Sequence, residues 1–259
     1  MVAAQSFCAW GQTAEQTRQP IAAETEHRIT NLSKRFDELI VSKPGESREA
    51  AAKRVAAMDE VASQIHGEVD AYLARVVDPN RADRQRIEQD LHRILAHLCD
   101  TPPSVFVLDT AKSRSWVAAY GLRKGALVGE HATSVTLRAY SVTDRGVRLA
   151  AFTGDDLDGY ANLAVQELHS PVPDEVWLLV WGQMTGANGP NIRMRIYACD
   201  GKKFRTVWMP ENIWGTFTVR VTDQGFTVDG EYYREAKARH DAYQLAPDGL
   251  YHVAADGLR

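Results

Sequence analysis

Cysteine is scarce in this sequence: Cys8, Cys99 and Cys199 are the only three in 259 residues. So few and so widely spread, they exclude a disulfide framework and a CxxC metal site, and leave room for one bridge at most. Buried structural thiols are the expectation. Basic charge is not in excess either, with 30 Lys and Arg against 34 Asp and Glu and a formal net charge of −4. Nothing here would pull the fold onto a phosphate backbone, so no nucleic acid partner is expected. Long apolar runs are also missing. Val176 to Trp181, among the longest, falls far short of the roughly 20 residues that cross a bilayer, and no membrane span is expected. The familiar catalytic signatures are absent: there is no GxSxG elbow, HExxH helix, Walker loop or GxGxxG turn. Activity from carboxylates brought together by the fold would leave no such trace.

What is present divides into two parts. Residues 1–20 read as a disordered or processed N-terminus, 21–100 as a helical domain and 101–259 as an antiparallel β domain. Met1 to Trp10 is small and apolar like the tail of a secretory signal, yet no positive charge precedes Arg18. A leader lying upstream of a truncated start reconciles both, and favours a periplasmic or extracellular placement.

In the helical part, Ile29, Leu32, Phe36 and Leu39 fall three and four apart on one stripe, which Pro44-Gly45 ends. Ala51, Val55, Met58, Ala62, Ile65, Val69, Tyr72 and Val76 then form a seam in alternating steps of four and three. Ser47 is positioned to cap it, and Asp78-Pro79 to close it and open the next helix. That third helix carries Ile87, Leu91, Ile94 and Leu98, and stops at Thr101-Pro102-Pro103. Short connections favour an up-down-up bundle or coiled-coil hairpin; the seam is also suited to a homo-oligomer, pairing between two chains. His92 and His97 lie five apart, about 140° around a helix, and so do not make a metal pair.

After Pro103 the period becomes two. Ile192, Met194 and Ile196 alternate with Arg193, Arg195 and Tyr197; Phe217, Val219 and Val221 alternate with Thr218, Arg220 and Thr222. Val176 to Trp181 is apolar on both faces, as in a central strand covered on each side. A repeat is visible. Leu137-Arg138-Ala139-Tyr140 matches Met194-Arg195-Ile196-Tyr197, and a third copy begins at Tyr243; each reads as a strand, a glycine turn and a returning strand.

The segment Gly154-Asp155-Asp156-Leu157-Asp158-Gly159-Tyr160-Ala161-Asn162 resembles the calcium loop of FG-GAP and VCBS type β-propeller repeats. Gly154 stands where that family has its first aspartate, and Leu157 where it has glycine. The resemblance implies propeller-like blades and calcium at Asp156, Asp158 and Asn162; a solvated aspartate-rich turn is the plainer reading. About 155 residues hold three units of this size, and closed propellers usually need four. The expected fold class is therefore α+β, with an antiparallel sandwich or open barrel ahead of a propeller.

For a ligand surface, Trp214, Tyr232 and Tyr233 are the candidates, because amphipathic rings near turns suit a protein or carbohydrate partner. His240-Asp241 sit on opposite sides of a strand and should not touch. Arg138, Arg193, Arg195 and Arg205 are expected to line a polar sheet face. These readings favour a non-catalytic binding or assembly protein of the exported bacterial type. The rival is a hydrolase, for example on carbohydrate, with paired carboxylates from separate β loops.

Overall fold

The computed structural model describes residues 7–41, 44–77, 83–99, 101–109, 114–124, 132–154, 161–186, 189–210, 213–232 and 238–254. Within these ranges, the side chains of residues 7–18, 123–124, 132–134, 161–163 and 184–186 are left out of the description. The chain is α+β: among the described residues, three helices precede a β region whose strand pairings are all antiparallel.

Helix α1 spans Phe7–Ile40, α2 Arg48–Val76 and α3 Arg84–Leu95. The backbone of residues 7–20, expected to be disordered or processed, is thus the start of α1, with Pro20 inside the helix. Ser47 caps α2 as its sequence position predicts, its Oγ accepting from the Ala50 N–H at 3.2 Å. The cap of α3 differs from expectation. Asp83 accepts from the Arg86 N–H at 3.3 Å and caps α3; Asp78-Pro79, expected to open this helix, lies outside the described residues. Helices α1 and α2 run antiparallel, since Arg54 reaches back to the Leu39 carbonyl while Arg28 meets Glu68 and Arg75 meets Glu24.

The seam on α2 from Met58 onward finds its partners inside the chain, while Val55 before it stays exposed. Met58, Ile65, Val69 and Tyr72 are buried against Ile29 and Phe36 of α1, Ile87 and Leu91 of α3, and a sheet face beneath. A second copy of the chain is not needed to cover them.

Twelve strands follow: β1 Ser104–Asp109, β2 Arg114–Lys124, β3 Ala132–Thr143, β4 Gly146–Phe152, β5 Ala161–Leu168, β6 Val176–Gly186, β7 Gly189–Cys199, β8 Phe204–Trp208, β9 Ile213–Thr222, β10 Gly225–Tyr232, β11 Ala238–Leu245 and β12 Tyr251–Val253. They form three successive up-and-down units of four. The first is a separate sheet; the second and third are joined through Asn191↔Trp214 and Ile192↔Ile213, giving one eight-stranded sheet that folds back on itself.

The layers stack helices, unit one, unit two, unit three. Trp116, Ala118, Tyr120 and Tyr140 face the helices, whereas Val117, Ala119, Leu137 and Ala139 face Val176, Leu178 and Val180 of unit two. The other side of β6, Trp177 and Leu179, packs with Met194 and Ile196 against Phe217, Phe226 and Tyr243 of unit three. Val176 to Trp181 is therefore the doubly covered central strand that its unbroken apolar run predicts. No barrel closes. The outer face of unit three carries exposed Thr216, Thr218, Arg220, Thr222 and His240, so the stack ends there in polar side chains.

The sequence repeat has a structural counterpart. Tyr140, Tyr197 and Tyr243 lie on β3, β7 and β11, the third strand of each unit, and each is buried toward the preceding layer. The turn that follows each contains a glycine with positive φ: Gly146, Gly201 and Gly249 at 108°, 78° and 80°. Edge strand β1 is covered by α3, whose Glu88 carboxylate accepts the Val105 N–H at 2.7 Å.

On the outer face of unit three, His240 donates to Asp229 on the neighbouring strand. That hydrogen bond, with smaller help from the Thr227 hydroxyl and the Arg220 charge, holds the Asp229 carboxyl below its ordinary range against an opposing effect of burial. A lowered carboxyl pKa means stability present above the ordinary value of about 3.9 and lost as pH falls through the folded-state value. His240→Ala is expected to raise the Asp229 pKa toward its ordinary range, with Thr227 and Arg220 still lowering it, read by carboxyl carbon NMR. An unchanged Asp229 curve would refute the pairing.

Candidate functional site

A groove of about 550 Å³ lies between α2 and the end of the first sheet. Along α2 the residues Asp59, Ser63, His66 and Asp70 line it, spaced by four, three and four, so that they form one polar stripe beside the buried seam. Leu122 of β2, Arg138 of β3 and Phe152 of β4 form the facing wall, and Phe36 of α1 closes one side.

The polar wall is fixed by an ion pair between α2 and β3. Arg138 donates from Nε at 2.8 Å and from Nη2 at 2.6 Å to the two carboxylate oxygens of Asp70. The Tyr140 hydroxyl donates to the same carboxylate at 2.7 Å. Asp70 thus accepts three hydrogen bonds and its charge is matched. The Arg138 side chain is only 7% exposed and that of Asp70 is 23%. Burial works against the Arg138 charge, but its hydrogen bonds to Asp70 and the neighbouring Tyr120, Asp70 and Tyr140 oxygens outweigh it, and its pKa lies above the ordinary arginine value. Burial first, and then the adjacent charges, push the Tyr140 phenol well up.

Beside this pair, His66 Nδ1 and the Tyr120 hydroxyl are 2.8 Å apart. Burial pushes the Tyr120 phenol far above its usual range, so it stays protonated and can serve either tautomer of His66. The Arg138 guanidinium sits 5.1 Å from the centre of the Phe152 ring. Phe152 is nonetheless 61% exposed, an unusual state for a phenylalanine beside a groove. Asp59 and Ser63 are exposed at the rim, and no polar partner of either is found among the described residues.

Of the residues expected to bind a protein or carbohydrate, Trp214 and Tyr232 do not come together. Tyr232 lies opposite Gly215 on the inward face of unit three, its ring edge-on to Phe217 at 5.0 Å and its hydroxyl donating to buried Asp241 at 2.6 Å. Trp214 alternates to the other side of β9, away from Phe217. A shared surface of these two rings is therefore ruled out by strand parity. Tyr233, Asp156 and Asp158 lie outside the described residues, as does the Asn162 side chain; the Asn162 backbone is in β5. Among the described residues no group of three metal-ligating side chains converges.

His240 and Asp241 face opposite sides as strand alternation requires, Asp241 inward to Tyr232 and Arg239, His240 outward to Asp229. The expected arginine face does not form. Arg138 is buried on Asp70 and Arg205 is paired with Glu175 at 3.0 Å, because β3 and β8 belong to different layers. Cys99 and Cys199 are unbridged, and burial pushes the Cys199 thiol up to about 11.

The groove residues were missed because each looks ordinary in its local context. The signal that would have found them is the polar stripe Asp59, Ser63, His66, Asp70, running at helical spacing alongside an apolar seam. No family model matches the chain, and no curated protein matches it in sequence.

Proposed function

We propose that this chain is a non-catalytic binding protein whose ligand enters the groove between α2 and the first sheet. One observation carries the reading: a cavity of about 550 Å³ pairs a rigid, internally neutralised polar wall with a largely exposed aromatic ring, Phe152. A wall whose charged groups already satisfy one another is pre-organised, so a ligand need not order it. Exposing Phe152 costs solvation free energy that a ligand would recover.

The hydrolase reading draws less support from this site. Asp59 and Asp70 are eleven positions apart on one helix, which separates them by about 16 Å along the axis, beyond the 5 to 10 Å range of carboxylate pairs in glycosidases. Asp70 is also committed to three hydrogen bonds. The likeness to FG-GAP and VCBS type repeats belongs to the same proposal, and the three consecutive four-stranded units support it.

The test is amide NMR with two chemically different probes, a capped pentapeptide set and cellobiose, on the parent and on Ser63→Trp. Ser63 is exposed, so an indole there should fill the groove without lowering Tm. The expected result is that at least one probe shifts the amides of Ser63, Gly67 and Phe152, and that Ser63→Trp abolishes the shifts. Probes that perturb only amides elsewhere would overturn the reading.

A further inference from the structure

We infer that the occupant of the groove is an extended protein segment with a basic side chain at one end and a large apolar side chain about four residues away. The inference rests on the groove being a binding site, and adds the class of its ligand.

Charge comes first. Of the two carboxylates in the groove, Asp70 is neutralised by Arg138 through two hydrogen bonds. Asp59, exposed at the other end of the same helix stripe, has no such partner among the described residues. The groove therefore carries one uncompensated negative charge at its Asp59 end, which attracts a cation and repels a carboxylate or phosphate.

Shape comes second. The exposed aromatic surface lies toward the other end, where the Phe152 ring sits against the Arg138 guanidinium. From Asp59 to Asp70 the stripe covers about 16 Å of helix axis, which an extended chain of about five residues would span. Between the two ends, the exposed Ser63 hydroxyl is suited to the backbone of such a segment. Gly67 keeps the floor open: a Cβ there would meet nothing within 4 Å.

These features order the candidate ligands. An anion is disfavoured by Asp59. A saccharide would use the Phe152 face but gain nothing from a lone carboxylate at the far end. A basic, apolar peptide uses both.

The probes are acetyl-Arg-Gly-Gly-Gly-Phe-amide, its reversed sequence, the counterparts with Glu in place of Arg, and cellobiose, each titrated into the full chain by amide NMR. At least one Arg peptide should shift Ser63, Gly67 and Phe152, and bind about fivefold more tightly than its Glu counterpart, the scale of one exposed ion pair. Asp59→Asn should remove that difference, and added salt should shrink it. Phe152→Ala should weaken the Arg peptide while leaving Tm in place, since the ring is mostly exposed. Equal binding of the Arg and Glu peptides, or an unchanged preference in Asp59→Asn, would overturn the inference. If cellobiose alone shifts the groove amides, the ligand class is wrong and the groove reading stands; if no probe does, both fall.

Discussion

Arg138→Ala is expected to destabilise the protein by about 3–5 kcal/mol, because it leaves the Asp70 carboxylate in a largely buried site without its counter-charge. Asp70 keeps some contact with water, being 23% exposed, so the lower half of that range is the more apt. For a chain of this size each kcal/mol moves Tm by about 2–4 °C, which makes the expected fall about 6–15 °C. The loss also reaches Tyr140, whose hydroxyl shares the same carboxylate. Two companions separate this mechanism from general damage. Replacing both members, Asp70→Leu with Arg138→Met, should recover much of the loss, since a well-packed apolar pair avoids the cost of desolvating two charges. Lys53→Ala, which removes the exposed Lys53–Glu49 pair on the outside of α2, should stay within about 0.5 kcal/mol of the parent. A Tm for Arg138→Ala within 2 °C of the parent would mean that the ion pair does not tie helix to sheet.

Gly230→Ala should cost about 2–4 kcal/mol, from overpacking against the neighbouring strand. An added Cβ at Gly230 would sit 2.0 Å from the Thr216 carbonyl oxygen and 2.6 Å from Phe217 Cδ1. The oxygen belongs to the paired strand β9, so only separation of the two strands relieves the clash. Gly215 is in the same position from the other side, with a φ of 147° and a Cβ site 2.0 Å from the Glu231 carbonyl oxygen. The Phe217 ring lies over both glycines, and carries Tyr232 and through it buried Asp241. The effect should therefore appear first as loss of unit three, seen as early hydrogen exchange of β9 to β11. Gly67→Ala supplies the opposite control. Mid-helix, exposed and with nothing within 4 Å of its Cβ site, it should gain about 0.5–1 kcal/mol from reduced backbone entropy. Equal stability of Gly230→Ala and the parent in denaturant titrations would show that β9 and β10 can part at little cost.

The two variants probe contacts of different legibility. The type and order of the elements could be read because periodicity is local: a side chain every three or four residues or every second one declares a helix or a strand without reference to anything distant. The double proline Pro102-Pro103 falls between the end of α3 and the start of β1. The hairpin repeat at Tyr140, Tyr197 and Tyr243 was visible for the same reason, since a strand, turn and returning strand are neighbours in sequence. The cap of α3 at Asp83 was not legible because Asp78 and Asp83 are both competent cap residues, and the local sequence does not choose between them.

By itself, then, the amino-acid sequence determined where helices give way to strands, which strand would be covered on both faces, and where the chain turns back. Tertiary structure alone decided what covers each face. The α2 seam is filled by α1, α3 and the first sheet, Tyr232 turns inward while Trp214 turns out, and Asp70 meets Arg138, 68 positions further along the chain. Such pairings depend on how layers stack, and a pattern of burial says only that a face must be covered, not by which distant residues.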